Sequence, residues 1–370
     1  MDCMRRRLYH SFAMASLDIY AGPAAMRRLR KEGICQSQFK VLVAASGGPK
    51  WFVLAGLDRY LFGSFFINRV SELFTIGSSV GAWRVCCLAT HDPVASLERL
   101  AHFYCHEKYS SAPTVEEVTN SVRIMLEKIL GEYGAIEIVN NSLFRTHIIA
   151  DRSKGIGSSH SKFLQAIHLA ASAGFNLISR QSLSLFFERS IFSNLGEGSP
   201  WAKFHDISSA TAFLTTENIH DVMLASGSIP FVLEGVRNIA GARQGHYWDG
   251  GITDYHFDWK FHEGEGLVLY PHFSAELIPG WFDKMLRWRK VKPENLENVV
   301  LLAPSKEFVQ SLPGKKIPDR KDFRNLDYSV RVKRWQEIIT RSEELAEEFK
   351  LVVETGEGLG HIKPIAVRDR

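Results

Sequence analysis

The sequence predicts an α/β protein whose central sheet is mainly parallel and covered on both faces. Short apolar runs rich in β-branched residues alternate with longer segments in which apolar residues recur at helical spacing. The first two strands are predicted at residues 39–45 and 73–76, and each runs into a glycine-containing turn followed by a helix. Because parallel strands need a crossover connection, usually a helix, this alternation indicates a parallel sheet.

The same two patterns recur along the rest of the chain. Further strands are predicted at residues 146–150, 212–215, 266–270 and 299–303. Helices are predicted from residue 50 to Gly63 and at residues 82–89, 93–104, 115–130, 159–173 and 330–349. Residues 174–206 lack a clear period, which predicts a cap-like insertion or long loops. The chain thus divides into an N-terminal helical lead-in (1–38), a main domain (39–304), and a basic connector with a C-terminal helix (305–370).

Composition places the chain among ordinary globular proteins. It has 370 residues, of which 45% are hydrophobic and 23% are charged, and this balance excludes intrinsic disorder for most of its length. The formal net charge of +4 is too small for a dedicated nucleic-acid binder. We therefore expect no nucleic-acid partner.

The cysteines and the hydropathy of the sequence indicate the cellular compartment of the protein. The cysteines form an odd set, which predicts reduced thiols in a cytosol-like compartment: Cys3, Cys35, Cys86, Cys87 and Cys105. No apolar run approaches the roughly 20 residues that a membrane-spanning helix needs. Three arginines at residues 5–7 precede an apolar run at residues 8–15 that is short for a signal peptide. We therefore expect a basic N-terminus ahead of a helix, in a cytoplasmic protein.

The most informative motif is Gly77-x-Ser79-x-Gly81, between a predicted strand and a predicted helix. A nucleophilic serine in such an elbow has a strained backbone on a tight turn, and only glycine fits two residues away on each side. The start of the following helix adds a dipole that favours a developing oxyanion. Ser79 is therefore a candidate nucleophile, and the alternative is an ordinary strand-to-helix turn.

Two other glycine pairs suit the same chemistry. Gly47 and Gly48 follow the first strand, and their N–H groups are free of flanking side chains, as an oxyanion hole requires. Asp249 precedes Gly250 and Gly251, and a carboxylate beside a serine hydroxyl can accept its proton. Taken singly, each glycine pair is also the usual composition of a simple turn.

Together these motifs resemble the patatin-like phospholipase family. In that family a glycine-rich oxyanion loop, a G-x-S-x-G elbow and a D-G-G or D-G-A motif occur in this order. The segment ASGSIP at residues 225–230 is similar to the family's A-S-x-A-x-P block. The resemblance implies a three-layer α/β/α fold and a lipid acyl hydrolase without cofactor or metal. It implies that Ser79 is the nucleophile, Asp249 is the base, and Gly47 and Gly48 donate the oxyanion-hole N–H groups.

The oxyanion loop departs from the family pattern at two positions. Ser46 and Trp51 stand where the family usually has glycine, whereas Lys50 matches the family's basic residue. We expect Lys50 to support the anion-binding loop and Trp51 to narrow the acyl entrance. The expected substrate is a lipid ester, and the motifs leave its head group open.

Two functional alternatives remain open at the level of sequence. His361 follows Ser79 and Asp249 in the chain order of an α/β-hydrolase triad, although that fold generally places more strands before its elbow. The altered oxyanion loop is also compatible with a non-catalytic module that binds a lipid or a protein. Retention of both Ser79 and Asp249 favours the enzyme.

Two groups of polar residues have the spacing of metal ligands, one alternating along a strand and one on a helical face. They are Asp254, His256 and Asp258, and His102, Cys105 and His106. The first group has no evident fourth ligand, and a polar rim of the active site explains it as well. An ordinary helix surface explains the second, so we expect no metal.

A basic and aromatic segment lies at residues 279–292, PGWFDKMLRWRKVK, with five cations and one acid. Aromatic residues interleaved with cations suit the headgroup region of an anionic membrane. We expect peripheral membrane contact here. The alternative is a helix that packs its apolar side on the core and leaves its basic side in solvent.

Overall fold

A mostly parallel sheet forms the centre of the computed structural model, which describes residues 16–202, 206–261 and 264–365. The strands of these residues are β1 (Leu17–Ala21), β2 (Phe39–Ala44), β3 (Leu73–Ser78), β4 (Phe144–Ser153), β5 (Phe187–Ser193), β6 (Ser209–Phe213), β7 (Val236–Arg237), β8 (His246–Asp249), β9 (Leu267–Pro271), β10 (Val299–Pro304) and β11 (Lys363–Pro364). Their order is β11-β1-β10-β9-β2-β3-β4-β5-β6, with β8 also paired to β4 and β7 to β8. Neighbouring strands from β10 to β4 are parallel, which confirms the predicted α/β class.

Helices supply the connections between most of these strands. In the described part of the chain they are α1 (Pro23–Glu32), α2 (Ala55–Tyr60), α3 (Val80–Leu88), α4 (Pro93–Cys105), α5 (Val115–Leu130), α6 (Gly134–Asn140), α7 (Lys162–Ile178), α8 (Ile219–Ser226), α9 (Lys306–Ser311), α10 (Asp322–Asn325), α11 (Tyr328–Arg341) and α12 (Glu343–Thr355). A 3₁₀ turn at Gly48–Leu54 precedes α2. The elements around the elbow therefore follow the predicted order of strand, turn and helix.

Both faces of the sheet are covered, but by different kinds of structure. Leu42 of β2 packs in a cluster that includes side chains of α2, α3, α4, α5 and α12, whereas its neighbours Val41 and Val43 belong to a second cluster. Outside the strands, that second cluster is rich in aromatic side chains from loops, among them Trp201 and Trp259. Because successive strand residues point to opposite faces, the two clusters are the two sides of the sheet.

Residues 174–206 do not form the cap-like insertion that the sequence predicts. They contain the end of α7 and all of β5, which is buried along its whole length and pairs antiparallel with β4. The pattern is obscured because Glu188 and Arg189 interrupt the apolar run of β5. In the structure these charges are neutralised by ion pairs, Glu188 with Arg152 and Arg189 with Asp254.

Both ends of the chain also differ from the prediction. The N-terminal lead-in contains β1, antiparallel to β10, before its helix α1. The helix predicted at residues 330–349 is divided into α11 and α12 at Ser342. This residue lies against α2: its Oγ accepts a hydrogen bond of 2.7 Å from the Gly56 N–H, and a Cβ on Gly56 would lie 2.6 Å from the Ser342 backbone. A break in the helix permits this approach.

The remaining sequence predictions concern the cysteines, the N-terminus and membrane spans. Cys86, Cys87 and Cys105 are buried, Cys35 is exposed, and these four form no disulfide. Cys3, the arginines at residues 5–7 and the apolar run at residues 8–15 lie outside the described residues. Every helix within the described ranges is too short or too polar to cross a bilayer.

Candidate active site

Ser79 lies on the turn between β3 and α3. Its φ and ψ of 56° and −131° are a backbone conformation that a residue other than glycine adopts only under strain. A Cβ on Gly77 would lie 2.4 Å from the Gly81 backbone, and a Cβ on Gly81 would lie 2.0 Å from the Ala44 carbonyl oxygen. Gly77 is therefore required by the tight turn itself, and Gly81 by the close packing of the elbow on the end of β2.

Asp249 is the last residue of β8, and pairing of β8 with β4 holds it opposite Ala150. Ser79 Oγ donates a hydrogen bond of 2.9 Å to Asp249 Oδ2, and the Gly251 N–H donates one of 2.7 Å to Asp249 Oδ1. Burial raises the pKa of Asp249 above its ordinary value, and these two hydrogen bonds oppose part of that rise. The two predicted residues are thus a buried, hydrogen-bonded pair.

Gly47 and Gly48 line the same cavity as Ser79 and Asp249. Among the described residues, neither glycine N–H donates to a protein acceptor. A Cβ on Gly47 would lie 2.6 Å from the ring of Phe273, and Gly48 has a φ of 56°, so both positions favour glycine. The turn therefore leaves two free backbone donors beside the serine, as an oxyanion site needs.

Ser46, which stands where the family usually has glycine, is buried. Its Oγ shares a hydrogen bond of 2.8 Å with Ser78 Oγ, which ties the oxyanion loop to the residue before Ser79. A Cβ on Gly251 would lie 2.6 Å from Ser46 Oγ and 2.8 Å from Asp249 Oδ1. The three glycine-containing motifs therefore meet at one point.

The two other residues singled out in this loop do not line the cavity. Trp51 is not at the acyl entrance, where the sequence predicts it: it is buried in the core, and its Nε1 donates a hydrogen bond of 2.7 Å to Asp58 Oδ2. Lys50 Nζ lies 3.4 Å from the hydroxyl of Tyr255, a residue of the cavity wall, and 5.0 Å from the centre of the Phe273 ring. Burial lowers the pKa of Lys50.

Residues 225–230 hold the elbow from a third direction. The Ser79 N–H donates a hydrogen bond of 2.9 Å to Ser226 Oγ, whose own hydroxyl donates to the Ile149 carbonyl at 2.6 Å. A Cβ on Gly227 would lie 2.6 Å from the Trp83 ring, so the looser match to the family block has a local packing reason. The segment supports the serine backbone rather than its hydroxyl.

A cavity of about 680 Å³ contains Ser79 and Asp249 in its wall. One part of that wall is apolar and includes a row of side chains from α5, namely Val115, Val118, Val122 and Met125. Another part is cationic and consists of Lys284, Arg320, Lys321 and Arg324. A cavity that has an apolar wall, a cationic wall and a serine suits an amphiphilic ester.

The cationic wall was not evident from the sequence, which indicates only that residues 279–292 and 305–327 are basic. Lys284 Nζ lies 3.8 Å from the centre of the Tyr255 ring, and Arg320 Cγ lies 3.5 Å from the place a Gly48 Cβ would take. Neither cation has an ion-pair partner within the part of the chain that the structure describes. Burial, together with Arg320 and Lys50 nearby, lowers the pKa of Lys284 to about 7.

The alternative triad lacks its histidine at the site. His361 is exposed beside β11 near the edge of the sheet, and no histidine is found among the described residues that line the cavity. The metal alternatives also have other partners, since Asp254 pairs with Arg189 and Asp258 accepts a hydrogen bond of 2.8 Å from Asn295. Over the described ranges, no group of three or more potential ligands is close enough to hold a metal ion.

Residues 279–292 contain one short 3₁₀ turn, Trp281–Met285. Within it Asp283 is fully buried, accepts a hydrogen bond of 2.8 Å from Asn176 Nδ2 and lies 3.4 Å from Arg289 Nε. Met285 and Trp288 are left 87% and 63% exposed. Asp283 thus anchors the segment to the protein, whereas the apolar side chains of Met285 and Trp288 remain in solvent.

The fold and the site define a class of protein, a mainly parallel α/β protein with a strained serine elbow hydrogen-bonded to an aspartate. The family model described as Patatin-like phospholipase matches residues 42–256, which is more than half of the chain. The chain therefore belongs to the patatin-like phospholipase family, as its motifs predict. Membership makes it a protein of a lipid hydrolase family.

The comparison with solved structures includes one distant similarity. The solved structure of VipD from Legionella pneumophila aligns at 13% sequence identity with a TM-score of 0.32, covering 65% of this chain and 51% of the VipD chain. This chain therefore matches about half the length of VipD. A search of curated proteins finds no match.

Proposed function

We propose that the protein is a serine acyl hydrolase of the phospholipase A or lysophospholipase type, with Ser79 and Asp249 as a catalytic dyad. Family membership supports the hydrolysis of lipids. The observation that supports the dyad is the 2.9 Å hydrogen bond from Ser79 Oγ to Asp249 Oδ2. It places a base beside the hydroxyl of a serine that has a strained backbone and lines a cavity. This chemistry requires neither cofactor nor metal.

The reaction proceeds through an acyl-enzyme. Ser79 Oγ attacks the ester carbonyl carbon while its proton moves to Asp249, and the N–H groups of Gly47 and Gly48 stabilise the oxyanion. The proton then passes to the leaving alcohol oxygen as the C–O bond breaks, which leaves the acyl group on Ser79. Water, deprotonated by Asp249, attacks this ester and releases the fatty acid.

The surroundings of Asp249 suit a general base. Burial raises its pKa and so makes the carboxylate a stronger base than an exposed aspartate. The positive charges of Arg320 and Lys284 favour its ionised form and so oppose this rise. Burial therefore strengthens Asp249 as an acceptor of the serine proton, while the two cations limit the rise of its pKa.

The cationic wall favours an ester whose alcohol part carries an anion, such as the phosphate of a phospholipid head group. Lys284 and Arg320 lack ion-pair partners among the described residues, and an anion bound beside Gly48 would supply one. A neutral glyceride would leave both cations unpaired. The apolar row from α5 offers the acyl chain its binding surface.

We also propose that the protein acts in the cytoplasm and contacts anionic membranes through residues 279–292. The exposed Met285, Arg287 and Trp288 support this contact, since they combine apolar and cationic groups over four residues. A lipid ester in a bilayer must be approached from such a surface.

Reaction with a fluorophosphonate probe tests the dyad directly. The wild-type protein should form a covalent adduct and hydrolyse a lipid ester, whereas Ser79→Ala should form none. Asp249→Asn should react more slowly by about 10²–10⁴-fold, because the hydroxyl loses its base. Mass spectrometry of the adduct and release of fatty acid are the measurements.

Two variants serve as controls. Ser37→Ala removes an exposed serine outside the cavity and should leave both signals unchanged. His361→Ala should also keep its activity, and its near-complete inactivation in a well-folded protein would restore the triad. Equal labelling of Ser79→Ala and wild type, or no adduct on wild type, would favour a non-catalytic binding module.

A further inference from the structure

Helix α7 is oriented in the opposite way to an ordinary surface helix. Its buried residues are polar and recur at four-residue spacing, namely His168, Ser172 and Asn176. The large side chains on its exposed side are apolar, and the four that we call the α7 face are Phe163, Ile167, Phe175 and Ile178. Phe163 is 72% exposed and Ile178 is 86% exposed. Lys162 is the only charged residue in the helix.

The polar side of α7 anchors it to the protein. Asn176 Nδ2 donates a hydrogen bond of 2.8 Å to the buried Asp283, and Arg289 donates one of 2.6 Å to the Asn176 carbonyl oxygen. The His168 ring packs edge-on against Phe187 of β5, with 5.0 Å between ring centres. Rotation of the helix to bury the α7 face would break these contacts. Exposure of the face is therefore a property of the folded protein.

Cations and further apolar groups lie next to the C-terminal end of α7. The bond between Arg289 and Asn176 holds residues 285–290 near this end, where Met285 and Trp288 are largely exposed. The same segment carries Arg287 and Lys290, which form no ion pairs in the described part of the chain. An apolar surface thus borders on unpaired positive charge.

Both ends of α7 adjoin residues of the active-site cavity. Lys162 and Gln165 in its first turns line a second cavity together with Phe231, and Phe231 also lines the cavity that contains Ser79. Toward its other end, α7 contacts the turn that contains Trp281, another residue of the active-site wall. Helix α7 therefore borders the wall of the active-site cavity at both of its ends.

We propose that the α7 face inserts into the surface of an anionic lipid bilayer and holds the protein there. The bilayer is favoured as the occupant because its acyl region accepts apolar side chains while its anionic headgroups pair with the neighbouring cations. A second copy of the chain would instead bring like charges together. The role of this contact in catalysis rests on the proposed lipid hydrolysis. Binding to the bilayer is measured without any hydrolysis.

Vesicle binding by a quadruple variant tests this assignment. Phe163, Ile167, Phe175 and Ile178 are changed together to Gln, which retains helix propensity and leaves the buried polar side of α7 intact. Co-sedimentation is measured with vesicles of phosphatidylcholine mixed with phosphatidylglycerol. The partition coefficient should fall by at least about 100-fold, because four large apolar side chains no longer leave water. Hydrolysis of a water-soluble short-chain ester should not change.

A second variant separates the apolar and the electrostatic contributions. Arg287→Gln combined with Lys290→Gln should lose most of the preference for mixed vesicles over vesicles of phosphatidylcholine alone. A matched control replaces four other exposed residues by Gln and should bind like the wild type: Ile67, Val70, Tyr133 and Ile136. This control shows whether the number of apolar residues or their position matters.

Three outcomes would overturn the proposal. The quadruple variant binds vesicles as tightly as the wild type, or the wild type binds neither kind of vesicle. In the third outcome, the wild type is a dimer by light scattering and the quadruple variant is a monomer, which assigns the α7 face to a second copy. Failure of the proposed function is a separate result, since it appears as absent hydrolysis of the soluble ester by the wild type.

Discussion

Two groups of charged residues near the candidate active site are built in different ways. In the first group, Arg189 is fully buried, with its Nε 2.5 Å from Asp254 Oδ2 and its Nη1 2.5 Å from Asp206 Oδ1. In the second group, Lys284 and Arg320 face the cavity and have no ion-pair partner in the described ranges. The first group is neutralised inside the protein, whereas the second is not.

This difference distinguishes charged residues that stabilise the fold from charged residues that are available to bind a ligand. The Asp254 carbonyl accepts a hydrogen bond of 2.6 Å from Ser78 Oγ, so the paired group supports the residue next to the elbow. Its carboxylate also accepts one of 2.7 Å from Trp259 Nε1, which ties it to the aromatic core. Unpaired cations in a cavity contribute little to the fold and are available to an anion. Each group therefore has its own expected response to substitution.

Removing the buried cation should have the largest effect. Arg189→Met removes the fully buried cation between Asp254 and Asp206 and leaves Arg180 as their remaining shared partner, and the free energy of unfolding should fall by about 3–5 kcal/mol. Urea denaturation measures this change. The exposed pair of Arg123 and Asp221 offers a matched control, because Arg123→Met should cost less than about 1 kcal/mol. Equal losses in the two variants would contradict the distinction between the groups.

Removing an unpaired cation should change selectivity instead of stability. Arg320→Gln should lower the ratio of kcat/KM for lysophosphatidylglycerol to that for a monoacylglycerol of the same chain by about 10-fold, because an ionic hydrogen bond is lost. The urea midpoint should be unchanged. Arg30→Gln, an exposed change on α1 away from the cavity, is the control. An unchanged ratio would show that Arg320 does not contact the head group.

The smallest expected effect is a pH dependence due to Lys284. Its pKa of about 7 means that it is charged below pH 7 and becomes neutral as the pH rises through that value. The selectivity ratio for lysophosphatidylglycerol should therefore fall by about 3-fold to 10-fold between acidic and alkaline conditions. The phosphodiester itself keeps one charge throughout this range.

Two replacements at this position define the source of that pH dependence. Lys284→Arg should keep a high ratio at every pH, because a guanidinium stays protonated. Lys284→Met should give a low ratio at every pH. A profile that both variants share with the wild type would assign the pH dependence to another group.

The elbow and its neighbours could be predicted because their requirements are local. Gly77 and Gly81 lie within two residues of Ser79, and the G-x-S-x-G spacing marks the turn, although the conflict that Gly81 avoids is with Ala44 of β2. The pairing of Ser79 with Asp249 was predicted only through family resemblance, since no local rule connects residues so far apart in sequence. The sequence does not predict β5, because its charged residues pair with partners that are distant in the chain. Local sequence does not reveal these pairs.

The cationic wall and the α7 face were beyond sequence reasoning for the same reason. The periodicity of α7 predicts a helix near residues 159–173, yet which side is buried depends on Asp283 and Phe187, which other elements supply. The composition around Arg320 predicts a basic connector, but Arg320 lies beside Gly48 in the folded chain.

By itself, the sequence determined the α/β class, the family and the serine elbow, because strand and helix periods and glycine spacing act over a few residues. The tertiary structure alone decided which charges are paired, which cations face the cavity and which side of α7 meets solvent. These properties depend on burial and on contacts between residues far apart in the chain. The function of such residues can therefore be inferred only from the folded structure, in which they come together.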